Sequence, residues 1–234
     1  MCTCFVDRRN DLLIGMNFDN NGMKFELNIS IPNSFIINIY TDFGKLPSFG
    51  INSHRTFVNS LSVDTNGNGL YKRVGKTRTL NVYLVKNLLE GNIKINDLDS
   101  YLDTMEIVNA PNLCTHNLIT DKNGNVWVVE PGRGNIKNKA NESPYYIMTN
   151  FSLIDYTAGK KYTDCGFDRY INVKKYLDKK HELSIKDAFS ILGKVKQTGE
   201  WNTVFSMVYS ENENKVYYCH NIKYENILEY KFKN

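Results

Sequence analysis

The chain opens MCTCFVDRRNDLLIGMNFDN over residues 1–20. Thr3-Cys4-Phe5-Val6 reads as a strand, and so does Leu12 through Phe18. Arg8-Arg9-Asn10-Asp11 between them is turn-forming material, so the stretch predicts an antiparallel hairpin. With Asn10-Asp11 as a two-residue loop, Arg9 faces Leu12 and Cys2 lies opposite Asp19. With a four-residue loop, Cys2 lies opposite Asn17. Residues of equal parity share a face, so both registers aim a polar partner at Cys2. A three-residue loop would place Phe18 there instead.

The position of Cys2 gives the hairpin its interest. An initiator methionine is usually trimmed when residue two is small. Cys2 would then carry an α-amine with an ordinary pKa of about 7.7–8.0 beside a thiol of about 8.5. That is a nucleophile with its own base attached. The plainer reading is a chance cysteine in an ordinary hairpin.

Composition narrows the function classes. The 234 residues are 41% hydrophobic and 12% aromatic, enough for one large core, and residues 1–234 are expected to form a single domain. A net charge of +4 on 29 basic and 25 acidic side chains does not suggest nucleic acid. No apolar run reaches the length of a membrane span, and the opening predicts no signal peptide. Five cysteines, odd in number and scattered, predict reduced thiols and a cytoplasmic setting. Cys2 and Cys4 have no second pair to complete a zinc site, and the four histidines are far apart. Neither a metal nor a cofactor is expected, no nucleic-acid or membrane partner is expected, and a homo-oligomer is left open.

Further along, strands are expected at 24–31, 35–40 and 56–63, and helices at 79–90 and just after Asn96-Asp97. Strands return at 115–120 and 125–130 around an Asn-Gly turn, and at 145–150. Helices are expected at 168–179 and 184–197, the second capped by Ser184. Strands at 203–210 and 215–221 and a terminal strand in ENILEYKF complete the pattern. Two antiparallel sheets with helices on their outer faces satisfy this order, a layered α+β fold.

Cys2-Thr3, the hairpin ending in Gly15-Met16-Asn17-Phe18-Asp19, and Met148-Thr149-Asn150-Phe151 together resemble the choloylglycine hydrolase family of bile salt hydrolases and penicillin V acylases. The chain is also similar to acyl-CoA:6-aminopenicillanate acyltransferases. GINSHRTFVNSL at 50–61, ITDKNGNVWVVE at 119–130 and WNTVFSMVYS at 201–210 extend the resemblance over most of the chain. The resemblance implies an N-terminal nucleophile (Ntn) hydrolase with a four-layer αββα sandwich of two antiparallel sheets. It implies Cys2 as nucleophile, Asp19 as the carboxylate that holds the α-amine, and Asn150 as an oxyanion-hole amide. The implied activity is cleavage of a linear amide bond in an N-acylated small molecule through an acyl-cysteine. The alternatives are an acyltransferase using the same Cys2, or a non-catalytic member that binds acylated small molecules.

The departures are specific. Met16 stands where the family usually has Arg or Gln. The family's second asparagine has two candidates here, Asn59 and Ser62. Its C-terminal arginine has no clear match, with His220 and Asn221 nearest. Asn17 and Arg169 are further candidate site residues. For Arg169, the favoured reading of Asp168-Arg169 is an ordinary capped helix start. Cys114-Thr115-His116 allows a thiol–imidazole dyad, against a plainer reading of core packing. PGRGN at 131–135 reads as a turn rather than a phosphate loop. Tyr145, Tyr146, Phe151 and Tyr156 line an acyl pocket or pack a core.

Overall fold

A computed structural model describes residues 2–42, 44–65 and 67–233. Strands β1 (Thr3–Asp7) and β2 (Leu13–Asn20) form the amino-terminal hairpin. β3 (Phe25–Asn28), β4 (Phe35–Thr41), β5 (Gly44–Ile51), β6 (Phe57–Asn59) and β7 (Leu61–Ser62) follow. β8 (Arg78–Leu80) leads into α1 (Asn81–Leu89), and α2 (Leu98–Thr104) comes after a single 3-10 turn. Next are β9 (Glu106–Val108), β10 (Thr115–Thr120), β11 (Val126–Glu130), β12 (Gly134–Asn138) and β13 (Tyr145–Met148). The chain closes with α3 (Leu153–Thr157), α4 (Phe167–Leu177), α5 (Ile185–Lys194), β14 (Asn202–Ser210), β15 (Lys215–His220) and β16 (Leu228–Lys231). Among the described residues no helix is long and apolar enough to cross a membrane.

The fold is α+β with two large antiparallel sheets, and the chain divides into two compact units. The first unit comprises residues 1–22, 139–151 and 161–234. Its sheet runs β13-β1-β2-β14-β15-β16, every neighbour antiparallel. Helix α4 packs on β13 and β1, and α5 on β14 and β2. Strand alternation sorts the side chains. Phe5, Leu13, Ile147, Val208 and Cys219 face the helices and bury against Val173 and Leu177 of α4 and Ala188, Phe189, Ile191 and Leu192 of α5. Helix α5 begins where Ser184 and Asp187 close a reciprocal capping box. Gly15 is the small residue of β2. A Cβ there would lie 2.3 Å from the Phe5 ring, so its absence lets that ring lie across the strand.

The second unit comprises residues 23–138 and 152–160. Its sheet runs β12-β11-β10-β6-β5-β4-β3, with β7 paired to β10. Helix α1 covers β5 and β6, burying Leu84, Val85, Leu88 and Leu89 against Ile36, Val58, Ile119 and Trp127. The parallel pair β8 and β9 stands apart from that sheet.

The sequence reading missed β5, β8, β9, β12 and α3. β5 contains Pro47 and Ser48 and pairs with β4 through a register shift, so its alternation is broken. β12 lies on an edge and reads Gly-Asn-Ile-Lys-Asn, with little apolar signal. The remaining missed elements, β8, β9 and α3, span three to five residues, too short to show a period.

Candidate active site

The hairpin register is neither of the two that favoured a polar partner for Cys2. Thr3 pairs with Asn17 and Asp7 with Leu13, a register that, continued past the end of β1, sets Phe18 opposite Cys2. Asp7 causes this. It is fully buried and accepts the Nε–H and Nη2–H of Arg9, whose Nη1 reaches the carbonyls of Leu177 and Lys180 at the end of α4. Arg9 is thereby removed from the ladder and the loop lengthens. By parity, Cys2 falls with Cys4, Met16, Phe18 and Met148 on a buried apolar face. Thr3, Asn17 and Asp19 fall on the helix-facing side.

Polar groups nevertheless converge on residue 2 from three segments. The Cys2 backbone N–H donates to Asn150 Oδ1 at 2.8 Å, just beyond the end of β13. The Cys2 thiol points at the Asp19 carbonyl oxygen, 3.9 Å away. Arg169, buried on the first turn of α4, donates through Nη1 to Cys2 O (2.6 Å) and Thr3 Oγ1 (2.7 Å). Its Nη2 donates to Asn150 Oδ1 (2.7 Å), and its guanidinium lies 3.6 Å from Asp19 Oδ2. Arg169 is therefore more than a helix start. Gly166, the residue that caps α4 at φ 76°, makes room for it: a Cβ there would sit 2.2 Å from Arg169 Nη2. Phe151 packs against Phe167 and Tyr170 with ring centroids 5.3 and 5.2 Å apart, which ties α4 to the segment carrying Asn150.

The Asp19 carboxylate is held from the other side. Thr203 Oγ1 donates to Oδ1 at 2.5 Å and Gln197 Nε2 to Oδ2 at 2.6 Å. Gln197 and Thr203 also bond each other, Gln197 N–H to Thr203 Oγ1 (2.8 Å) and Thr203 N–H to Gln197 O (3.0 Å). A β-bulge between Thr203 and Phe205 sets the register there and brings Thr203 opposite Asp19. Sequence reasoning did not find Gln197 or Thr203. They lie in and just before a strand, far from Asp19 in the chain, and only the bulge aims them.

Burial dominates the electrostatics. It pushes the Cys2 thiol up to about 11, and the nearby Asp19 carboxylate pushes the same way while Arg169 opposes it. Burial also raises the Asp19 carboxyl above its ordinary range, against the hydrogen bonds from Thr203 and Gln197 and the charge of Arg169. Arg169 supplies the cation that Met16 does not; Met16 is fully buried and paired with Cys4 and Met207.

The other candidates are placed as follows. Asn17 accepts from Ser206 Oγ and donates to Leu192 O, bracing β2 against β14 and α5. Asn59 lies in the second unit, where its Oδ1 accepts the Leu118 N–H and its carbonyl the Asn117 amide. Ser62 pairs with Thr115 in the same unit. Cys114 and His116 form no dyad: the thiol points to Asp64 O at 3.8 Å, and His116 Nδ1 meets the buried Glu130 at 3.0 Å. PGRGN holds no phosphate cradle, because Arg133 is buried against Asp64 and Asp155. Phe151 is core, and Tyr145 bonds Asp178 at the surface of α4.

No protein-family model and no curated protein sequence matches the chain. Solved structures do. A cysteine-to-alanine mutant of conjugated bile acid hydrolase from Clostridium perfringens is similar at a TM-score of 0.65 and 16% identity, over 100% of this chain and 97% of that one. Penicillin V acylase from Agrobacterium tumefaciens gives 0.66 at 13% identity, over 99% and 86%. The Caenorhabditis elegans ortholog of N-acylethanolamine-hydrolyzing acid amidase gives 0.60 at 15% identity, over 90% and 93%. Across its whole length the chain has the fold of the Ntn hydrolases.

Proposed function

We propose that the protein is an N-terminal cysteine amidase, which cleaves the linear carbon–nitrogen bond of an N-acylated small molecule through an acyl-cysteine on Cys2. One observation carries this reading: Asn150 and Arg169 converge on the backbone of residue 2, with Asp19 held 3.6 Å from that arginine. The shared fold with amide hydrolases adds support.

With Met1 attached, the Cys2 nitrogen is a peptide amide and cannot act as a base. The thiol, pushed to about 11, holds roughly one part in ten thousand as thiolate at pH 7. Removal of Met1 turns that nitrogen into an amine beside the thiol. The amine then takes the thiol proton, and the thiolate adds to the amide carbonyl. The amide nitrogen of Asn150 is the donor suited to the oxyanion, since its Oδ1 already accepts from Cys2 and Arg169. The carbon–nitrogen bond breaks as the ammonium returns its proton to the leaving amine. Water then attacks the thioester, gives a proton to the same amine, and releases the carboxylic acid with the thiol restored. Asp19 orients the amine throughout. The apolar face that Cys2 shares with Met16 and Met148 favours an aliphatic or aryl acyl group over an anionic one.

Intact mass after exposure to a panel of N-acyl substrates tests the reading. The expected species lacks Met1 and gains an acyl mass that Cys2→Ala loses and Cys4→Ala keeps. A Cys2→Ala protein that turns over substrate at the wild-type rate would sink it. Transfer of the acyl group to an added amine in preference to water would make the chain an acyltransferase.

A further inference from the structure

Ahead of β8, residues 70–77 are all exposed, yet the strap they form is fastened to the second unit at both ends. At its start, Gly69 O accepts the Asn109 backbone N–H (2.9 Å) and Asn109 Nδ2 (3.1 Å). Gly69, at φ 63°, also lies backbone to backbone on the PGRGN turn, where a Cβ on it would sit 2.1 Å from Pro131 O. At its end, the Gly75 N–H donates to Arg78 O (3.1 Å) and the Glu106 N–H to Thr77 O (2.9 Å). The Glu106 carboxylate holds two strap cations at once, Lys72 Nζ at 2.5 Å and Arg78 Nε at 2.6 Å.

What the fastenings leave outside is apolar and basic. Leu70, Tyr71 and Val74 are 59, 50 and 43% exposed. A single exposed apolar side chain is ordinary, but three so close together on a fastened loop make a patch. Arg73 and Lys76 stand among them and have no ion-pair partner among the described residues. The stretch LYKRVGKTR over residues 70–78 holds four cations and no carboxylate. A net charge of +4 over 234 residues hides that concentration, and the strap is far too short to register as a membrane span. The expectation of no membrane partner, drawn from those two quantities, does not reach it.

We propose that this strap seats the protein on the surface of an anionic lipid bilayer. Arg73 and Lys76 meet the headgroup charges, each such residue strengthening attachment about fivefold. Leu70 and Val74 enter the boundary between headgroups and acyl chains, and Tyr71 lies at the level where amphipathic rings collect. Aliphatic side chains add nothing to contacts with phosphodiesters, which favours lipid over nucleic acid. The attachment is peripheral and reversible, and it is independent of the amide chemistry of Cys2.

Cosedimentation of the full-length protein with vesicles of phosphatidylcholine, alone or with about one-third phosphatidylserine, tests the strap at about 0.1 M salt. Binding to the phosphatidylserine vesicles is expected to exceed that to phosphatidylcholine alone by about tenfold or more. Two variants should each remove most of that preference: Leu70→Ser/Tyr71→Ser/Val74→Ser and Arg73→Glu/Lys76→Glu. Lys122→Glu/Lys175→Glu makes the same charge change at exposed positions elsewhere and should keep it. If one strap variant fails to fold, the other carries the comparison. Equal binding to the two vesicles, strap variants that bind like wild type, or an equal loss in the Lys122/Lys175 variant overturns the proposal. So does binding to a single-stranded oligonucleotide that needs Arg73 and Lys76 but not the apolar residues, if the vesicles fail to bind.

Discussion

At the scale of single residues, the site separates groups that react from groups that place them. In the proposed mechanism, Cys2 and Asn150 are the groups that touch the substrate carbonyl. In that mechanism Asp19 acts through the amine, and Thr203 and Gln197 act through Asp19, whose two oxygens they hold. Thr203→Val keeps the shape and removes one donor. Hydrogen bonds to a carboxylate favour its charged form, so losing one raises the Asp19 pKa further. The acid limb of the pH–rate profile should therefore move to higher pH, with kcat about tenfold lower and KM nearly unchanged; Thr203→Ser should restore both. An acid limb that stays in place would make Thr203 a packing residue only. The resemblance named Cys2, Asp19 and Asn150, and the structure gathers the three around Arg169. Arg169 was seen but read as a helix start, because nothing in Gly166-Phe167-Asp168-Arg169 says which way its guanidinium turns.

At the scale of elements, the hairpin of β1 and β2 decides where every site residue falls. Its loop length depended on whether Arg9 stayed in the ladder, and Asp7 pulled it out. That pairing is invisible to turn statistics, which left two- and four-residue loops both open. Gly15 contributes at the same level. Gly15→Ala would press a methyl into Phe5, a fully buried ring among Leu13, Ile147 and Val208. The expected loss is about 1–3 kcal/mol of stability, read as a lower denaturant midpoint. A second change, Phe5→Leu, should recover part of it, since the two positions couple by contact. Additive losses would show that the strand shifts instead of the ring.

At the scale of the whole molecule, stability and chemistry share their buried thiols. Cys2 and Cys219 are both pushed up to about 11, chiefly by burial. A raised folded-state pKa means the folded protein binds the proton more tightly than the unfolded chain. The contribution is complete below the ordinary value near 9 and is lost as pH rises from about 9 to 11. The unfolding free energy from urea titration should fall across that window, by up to roughly 2–3 kcal/mol per thiol, and the midpoint with it. Cys219→Ala should flatten the fall, after its own cavity cost is subtracted at neutral pH. Midpoints that do not change between pH 8 and 11 would contradict the burial argument. The sequence by itself determined the α+β class, the two antiparallel sheets, the long helices and the order of Cys2, Asp19 and Asn150. Those follow from periodicity, caps and short motifs, which are local. Only the tertiary structure decided the hairpin register, the inward turn of Arg169 and the Gln197–Thr203 clamp. Each of these depends on a partner distant in the chain, a bulge or a backbone conformation, and no local pattern encodes such pairings.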